Sequence, residues 1–230
     1  PMPTYLITGA NRGVGLELTR QLTARGDRVI GAARTPGAAD ELKAATDFVT
    51  TVDVSSEASV LAMAKRLSGE PIDVLINNAG VFPDPGAKSF EDIPPEAFLD
   101  ACRVNVMGPF MVTRAMAPNL ELGKRKLAIQ ITSNMGSIDE GVREKRTGQI
   151  AYAASKAALN MVSVHMGNEL AERGLASIAL HPGWIKTDMG GENAPLELTD
   201  AVKKIIKTLD KLTVKDNAKY VRYDGKAMAW

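Results

Sequence analysis

A single α/β domain built on one parallel sheet is the fold this sequence predicts, and three observations predict it. Short apolar, β-rich runs alternate with longer stretches of helical periodicity. Four of the first six runs are near-continuously apolar, as strands covered on both faces must be. A glycine-rich turn joins the first run to the first helical stretch. Together they describe a doubly wound sheet of about seven strands with helices on both faces, filling residues 2–230 as one domain.

The elements follow in chain order. The first strand, Thr4–Thr8, runs into Thr8-Gly9-Ala10-Asn11-Arg12-Gly13-Val14-Gly15 and an amphipathic helix, Gly13–Arg25. Such a turn aims backbone N–H groups and a helix N-terminus at a phosphate, and glycine removes the Cβ that would block the approach. The second strand, Arg28–Ala33, ends at Arg34 with no acid in reach. An Asp or Glu there would bind both ribose hydroxyls of NAD; Arg34, with Arg12 of the turn, suits a 2′-phosphate instead, so NADP(H) is the expected cofactor. The third strand, Phe48–Val52, leads to Asp53 and Val54 and then to a helix over Ser56–Leu67. The fourth, Asp73–Ile76, ends in Asn77-Asn78-Ala79-Gly80, whose amides and glycine can bind neighbouring backbone and approach a ribose. The four-proline stretch Val81–Pro95 reads as a loop, and Pro95–Leu120 as one long helix that carries Asn105 in its interior. Asparagine is a mediocre helix former, so a polar partner or a water is expected there.

The fifth strand, Leu127–Thr132, is followed by three hydroxyl candidates, Thr132, Ser133 and Ser137. Asp139–Gly148, charged and apolar only at Val142, reads as a mobile exposed loop beside the site. The helix Ala151–Arg173 opens on Tyr152-Ala-Ala-Ser-Lys156. That spacing puts both side chains on one face, a turn apart. A nearby ammonium stabilises a phenolate, so Lys156 is expected to lower the pKa of Tyr152 and fit it for proton transfer. The sixth strand, Ala176–His181, is turned by Pro182-Gly183, and His181 reads as a structural strand end. A helix over Pro195–Leu212 and a last strand at Tyr220–Arg222 complete the pattern.

These motifs, in this order and over nearly the whole chain, resemble the short-chain dehydrogenase/reductase family, whose members share a Rossmann-like domain. Met135-Gly136-Ser137 after the serine, and Tyr223-Asp224-Gly225 to Trp230, look like its C-factor/sniffer-type carbonyl reductase branch. The resemblance implies the roles. Ser133, three residues before Gly136, holds the substrate oxygen, Tyr152 is the general acid/base, Lys156 binds the nicotinamide ribose, and Asn105 helps hold a relay water. Gly9, Asn11, Arg12, Gly13 and Val14 cradle the pyrophosphate. Asp53 and Val54 meet the adenine. Asn77, Ala79 and Gly80 form the cofactor wall. Pro182, Gly183, Ile185 and Thr187 orient the nicotinamide. Phe82, Met135, Val142, Trp184 and Met189 are the expected substrate pocket, an apolar set suited to a small carbonyl or alcohol. The family also implies a homodimer or homotetramer through the long helices that carry Asn105 and Tyr152. Ser133 and Tyr152 stand further apart than is usual in the family, and the Asp139–Gly148 segment holds the excess.

Composition narrows the alternatives. With 28 basic and 27 acidic residues, no nucleic acid or membrane partner is expected. Cys102 is the lone cysteine, expected to be a small buried residue, and the two histidines, His165 and His181, lie in no ligand-spaced motif, so no metal is expected. The first strand begins with no basic leader before it, and a cytoplasmic protein is expected; Pro1 is set aside. Two competing readings remain: a cofactor-binding signalling protein of C-factor type with little turnover, and an epimerase or dehydratase of the related extended fold. The intact four-residue site argues against the first, and the short chain and glycine spacing against the second.

Overall fold

The computed structural model describes residues 2–230; Pro1 lies outside them. Seven parallel strands form one sheet in the order β3-β2-β1-β4-β5-β6-β7. They are β1 Thr4–Thr8, β2 Arg28–Ala33, β3 Phe48–Thr51, β4 Val74–Asn77, β5 Leu127–Ile131, β6 Ala176–His181 and β7 Tyr220–Arg222. Each strand end lies within a residue of its expected place. The chain builds outward from β1 to β3 and then crosses back to β4 on the other side of β1. That reversal opens a crevice at the C-terminal ends of β1 and β4, where doubly wound sheets bind ligands.

Alternation along the strands divides the interior into two cores. Tyr5, Ile7, Val74, Ile76, Leu127 and Ile129 face one layer, packed against α1 (Gly13–Ala24) and α8 (Leu198–Lys211). Leu6, Ile30, Leu75 and Ala128 face the other. There they meet α3 (Glu57–Arg66), α5 (Gly108–Leu122) and α7 (Ile150–Ala171). Between α1 and α3 lies a six-residue helix, α2 (Asp40–Ala45), which buries Leu42 and was not expected.

Polar groups inside the second layer are joined. Asn77 Nδ2 donates to Thr113 Oγ1 and to Gln130 Oε1, each at 2.9 Å, and Gln130 Nε2 reaches Ser177 Oγ at 3.3 Å. Asn77→Ala would leave Gln130 Oε1 without this donor. It is expected to lower stability by about 1–3 kcal/mol. Chemical denaturation checks this: an unchanged unfolding midpoint would show that the network contributes nothing.

Two expected elements need correction. The long helix is not one α-helix. α4 (Pro95–Cys102) and α5 are joined by a π-turn, Arg103–Met107, with Asn105 at its centre. Asp139–Gly148 is not a loop throughout, because it shares a helix, α6 (Ile138–Arg143). Ser137 caps α6 by accepting from Glu140 N at 3.1 Å; Asp139 and Glu140 occupy its first turn and Arg143 its last. The segment is anchored by polar contacts. Arg146 bridges Glu140 at 2.8 Å and donates to Asn134 O at 2.7 Å, and Asp139 N donates to Trp230 O at 3.0 Å. Cys102 is half-buried, not fully buried. Among the described residues, no helix is long and apolar enough to cross a membrane, and no three His, Cys, Asp or Glu cluster as metal ligands.

Candidate active site

The glycine turn stands at the mouth of the crevice. Gly9 (φ +64°) leaves no room for a side chain, since a Cβ there would lie 2.9 Å from Ala79 Cα. Thr8 Oγ1 accepts from the backbone N–H groups of Asn78 and Ala79, each at 3.1 Å. Asn78 Nδ2 donates to Thr8 O and Gly9 O. The turn and the β4 terminus are thus stitched together. Asn78 is the one of the two amides that binds neighbouring backbone as expected. Asn77, expected at the cofactor wall, instead turns into the core and is 2% exposed, where Thr113 and Gln130 accept from its Nδ2.

Helix α1 starts with Gly13 and Val14 after Arg12, with no side-chain cap and no acid in its first turn. Its free N–H groups and positive dipole end therefore face the crevice uncompensated. Gly13 has φ +52°, and the nearest atom to a Cβ built there is Thr187 Cγ2, at 3.8 Å across the cleft. These residues fit a dinucleotide pyrophosphate between the turn and Thr187. Asn11 and Arg12 are exposed at the rim, and Arg12 reaches Asp188 at 3.6 Å. Arg34 is exposed at the end of β2. Asp53 accepts from Ser55 N at 2.9 Å and Ser55 Oγ at 2.6 Å, and those bonds, with the Arg34 charge, hold its carboxyl below the usual range. Val54 buries its side chain against Gly108, so only its backbone can face a ligand. On the opposite wall Gly183 (φ +94°) turns the chain after Pro182, and Ile185 is buried. Thr187 Oγ1 accepts from Gly190 N at 3.1 Å.

The reacting groups gather beneath. Of the three hydroxyl candidates, Thr132 donates to Lys156 O at 3.3 Å and Ser137 caps α6. Ser133 is the one beside Tyr152. Its backbone is held by Tyr220, whose phenol donates to Ser133 O at 2.7 Å while its ring stacks on Trp230. Lys156 is buried and donates to Ile131 O at 2.9 Å; its Nζ lies 5.7 Å from the centre of the Tyr152 ring. A Cβ on Gly80 would approach both Asn105 Oδ1 (3.2 Å) and Lys156 Nζ (3.7 Å), so these three residues share one spot.

The Asn105 amide makes three of its four possible hydrogen bonds. Its Oδ1 accepts from Val81 N at 2.8 Å, and its Nδ2 donates to Val81 O at 2.9 Å and Ser155 Oγ at 3.0 Å. A relay water could be held by the backbone of the π-turn or by the second lone pair of Asn105 Oδ1.

Protonation differs from the expectation. Burial pushes Tyr152 up to about 12, with Ser133 pulling the other way, and burial brings Lys156 down to about 8. In the chain alone, burial therefore keeps Tyr152 a protonated hydroxyl at neutral pH. His181, buried near Arg222 and Arg146, is pushed down to about 4 and stays neutral, as a strand-end residue can.

The expected pocket is assembled in part. The Phe82 ring packs on Tyr152 with centroids 4.4 Å apart. Met135 N donates to Ser133 Oγ at 3.2 Å. Trp184 and Met189 are half-exposed after β6, and Trp184 Nε1 is tied to Gly190 O at 2.7 Å. Val142, on α6, is 75% exposed and lines no closed cavity in the chain alone. One buried acid was missed. Asp84, from the four-proline stretch, accepts from Ala151 N at 2.8 Å and Tyr152 N at 3.2 Å.

Comparison with known proteins agrees with this geometry. Residues 3–197 match the short chain dehydrogenase family. The chain is 37% identical to C-signal from Myxococcus xanthus over 172 residues, 74% of this chain and 99% of that protein. The carbonyl reductase Sniffer of D. melanogaster superposes with a TM-score of 0.90 at 28% identity, over the whole of both chains. An NADPH-bound carbonyl reductase from chicken fatty liver does so with a TM-score of 0.89 at 30% identity, over 100% of this chain and 99% of that one.

Proposed function

Because this chain belongs to the short-chain dehydrogenase family, we propose that it is an NADP(H)-dependent reductase of small aldehydes or ketones. The observation that carries the proposal is the convergence of Ser133, Tyr152 and Lys156 beneath a crevice built for a dinucleotide. The cofactor, when bound, supplies the hydride to the carbonyl carbon. Ser133 donates a hydrogen bond to the carbonyl oxygen and orients it. Tyr152 hands its phenolic proton to that oxygen as the negative charge develops. Lys156 stands close enough to stabilise the phenolate left behind and to bind the nicotinamide ribose. Asn105 anchors the π-turn from which a water can return the proton. A tyrosine that burial keeps protonated suits the reductive direction, which needs an acid. The bound cofactor in the chicken carbonyl reductase, and Arg34 and Arg12 at the rim, support NADP(H) in particular. The apolar character of Phe82, Met135, Trp184 and Met189 supports an uncharged substrate.

The identity to C-signal favours a second reading, a cofactor-binding signalling protein with little turnover. NADPH consumption against a panel of aldehydes and ketones of graded size separates the two. Turnover on at least one compound is expected. Tight NADPH binding with no turnover across the panel would favour the signalling reading.

A further inference from the structure

We propose that Asp84 is a positioning residue for Tyr152, supplying from a distant loop the N-terminal cap that helix α7 lacks. The proposal rests on the reading of Tyr152 as the proton donor. α7 begins without the usual local devices. Gln149 precedes it in the left-handed region (φ +51°), makes no side-chain cap, and the first turn holds no acid. Helix ends without a cap fray, and Tyr152 sits in this first turn. Asp84, 4% exposed, fills the gap. Its two oxygens are divided between two consecutive N–H groups, Oδ2 on Ala151 and Oδ1 on Tyr152 itself. A carboxylate at a helix N-terminus is also favoured by the dipole.

The bonds are part of a longer seam. Val81 is clamped on both backbone atoms by Asn105. The Phe82 ring lies on Tyr152. Pro85 O accepts from Gln149 Nε2 at 3.2 Å. Gly148 passes so close to Ala87 that a Cβ would lie 2.3 Å from Ala87 O. Asp84 is the centre of this seam and its one charged member. It fixes the backbone of Tyr152 while Phe82, two residues away, fixes the ring. Tyr152 is thereby held at its backbone and at its ring.

The test compares the wild type with Asp84→Asn, which loses one of the two acceptors, and Asp84→Ala, which loses both. Turnover is counted per NADPH-binding site, with the solvent isotope effect on kcat and hydrogen exchange at the Ala151 and Tyr152 amides. Misplacing a reacting group by about an ångström costs up to about a hundredfold. We expect kcat per site to fall about threefold in Asp84→Asn and about ten- to a hundredfold in Asp84→Ala. The solvent isotope effect should rise as proton transfer becomes limiting, and both amides should lose protection. A merely structural acid would lower the melting temperature and the fraction of active sites, with kcat per site and the isotope effect unmoved; that result overturns the proposal. If Asp84→Ala does not fold, Asp84→Asn decides alone, and wild-type kcat with a wild-type isotope effect overturns it. Should the wild type itself turn over no carbonyl compound, the functional reading fails, and amide exchange in Asp84→Asn still decides whether Asp84 holds the helix start.

Discussion

Tyr152→Phe is expected to lower kcat by about 10²–10⁴-fold, the usual cost of losing a general acid, while NADPH binding changes little. The substitution removes one hydroxyl and leaves the ring on Phe82 and the backbone on Asp84, so the fold around it should survive. The size of the effect follows from the surroundings. Thr132 is directed at the backbone of α7, Ser137 is spent on α6, and His181 is held neutral with Gly183 N on its Nδ1. Ser133 can hold an oxygen but is itself a poor acid. None of these four groups is therefore in place to take over the proton. Steady-state kinetics with the best carbonyl substrate, beside fluorescence titration with NADPH, checks this. A variant that keeps more than half the wild-type kcat would show that the proton comes from elsewhere.

Replacing Arg34 with Asp should reverse or erase a preference for NADPH over NADH of about 10²-fold. Each charge-assisted bond to a phosphate is worth about 1.5–3 kcal/mol, and about 1.4 kcal/mol is tenfold, so two bonds discounted for exposure give that figure. Arg34 is exposed at the end of β2. Arg12 is bridged to Asp188, but both side chains are largely exposed, at 68% and 87%. Such a pair is worth at most about 1 kcal/mol, less than a phosphate offers, so the bridge should yield to the cofactor. The measurement is kcat/KM with each cofactor for wild type, Arg34→Ala and Arg34→Asp. Equal efficiency with both cofactors in the wild type would contradict the assignment, as would an Arg34→Asp enzyme that still prefers NADPH undiminished.

The sheet was readable in the sequence because burial on both faces leaves apolar runs that nothing polar interrupts, as in Tyr5–Ile7 and Val74–Ile76. The glycine turn and the Tyr152/Lys156 pair were readable because the groups that act together are neighbours in the chain. What escaped was of two kinds. α6 has no apolar stripe and is held by a cap and ion pairs, although Ser137-Ile138-Asp139-Glu140 carries a capping pattern that could have announced it. Asp84 and Tyr220 act on residues 67 and 87 positions away, at Ala151 and Ser133, and no local spacing records such a contact. The burial that raises the tyrosine pKa in the chain alone was illegible for a related reason: the spacing displays the lysine, but only the fold displays how dry the site is.

The sheet also separates two inheritances. On the proposed reading, the glycine turn that meets the phosphates is seated through Leu16, Leu18 and Leu22 of α1 in one core, while Tyr152 is carried by α7, seated through Met166 and Leu170 in the other. Substitutions in different layers share few partners, and distant sites combine additively. On that reading, the seat of the glycine turn under α1 can be repacked with little effect on the seat of Tyr152.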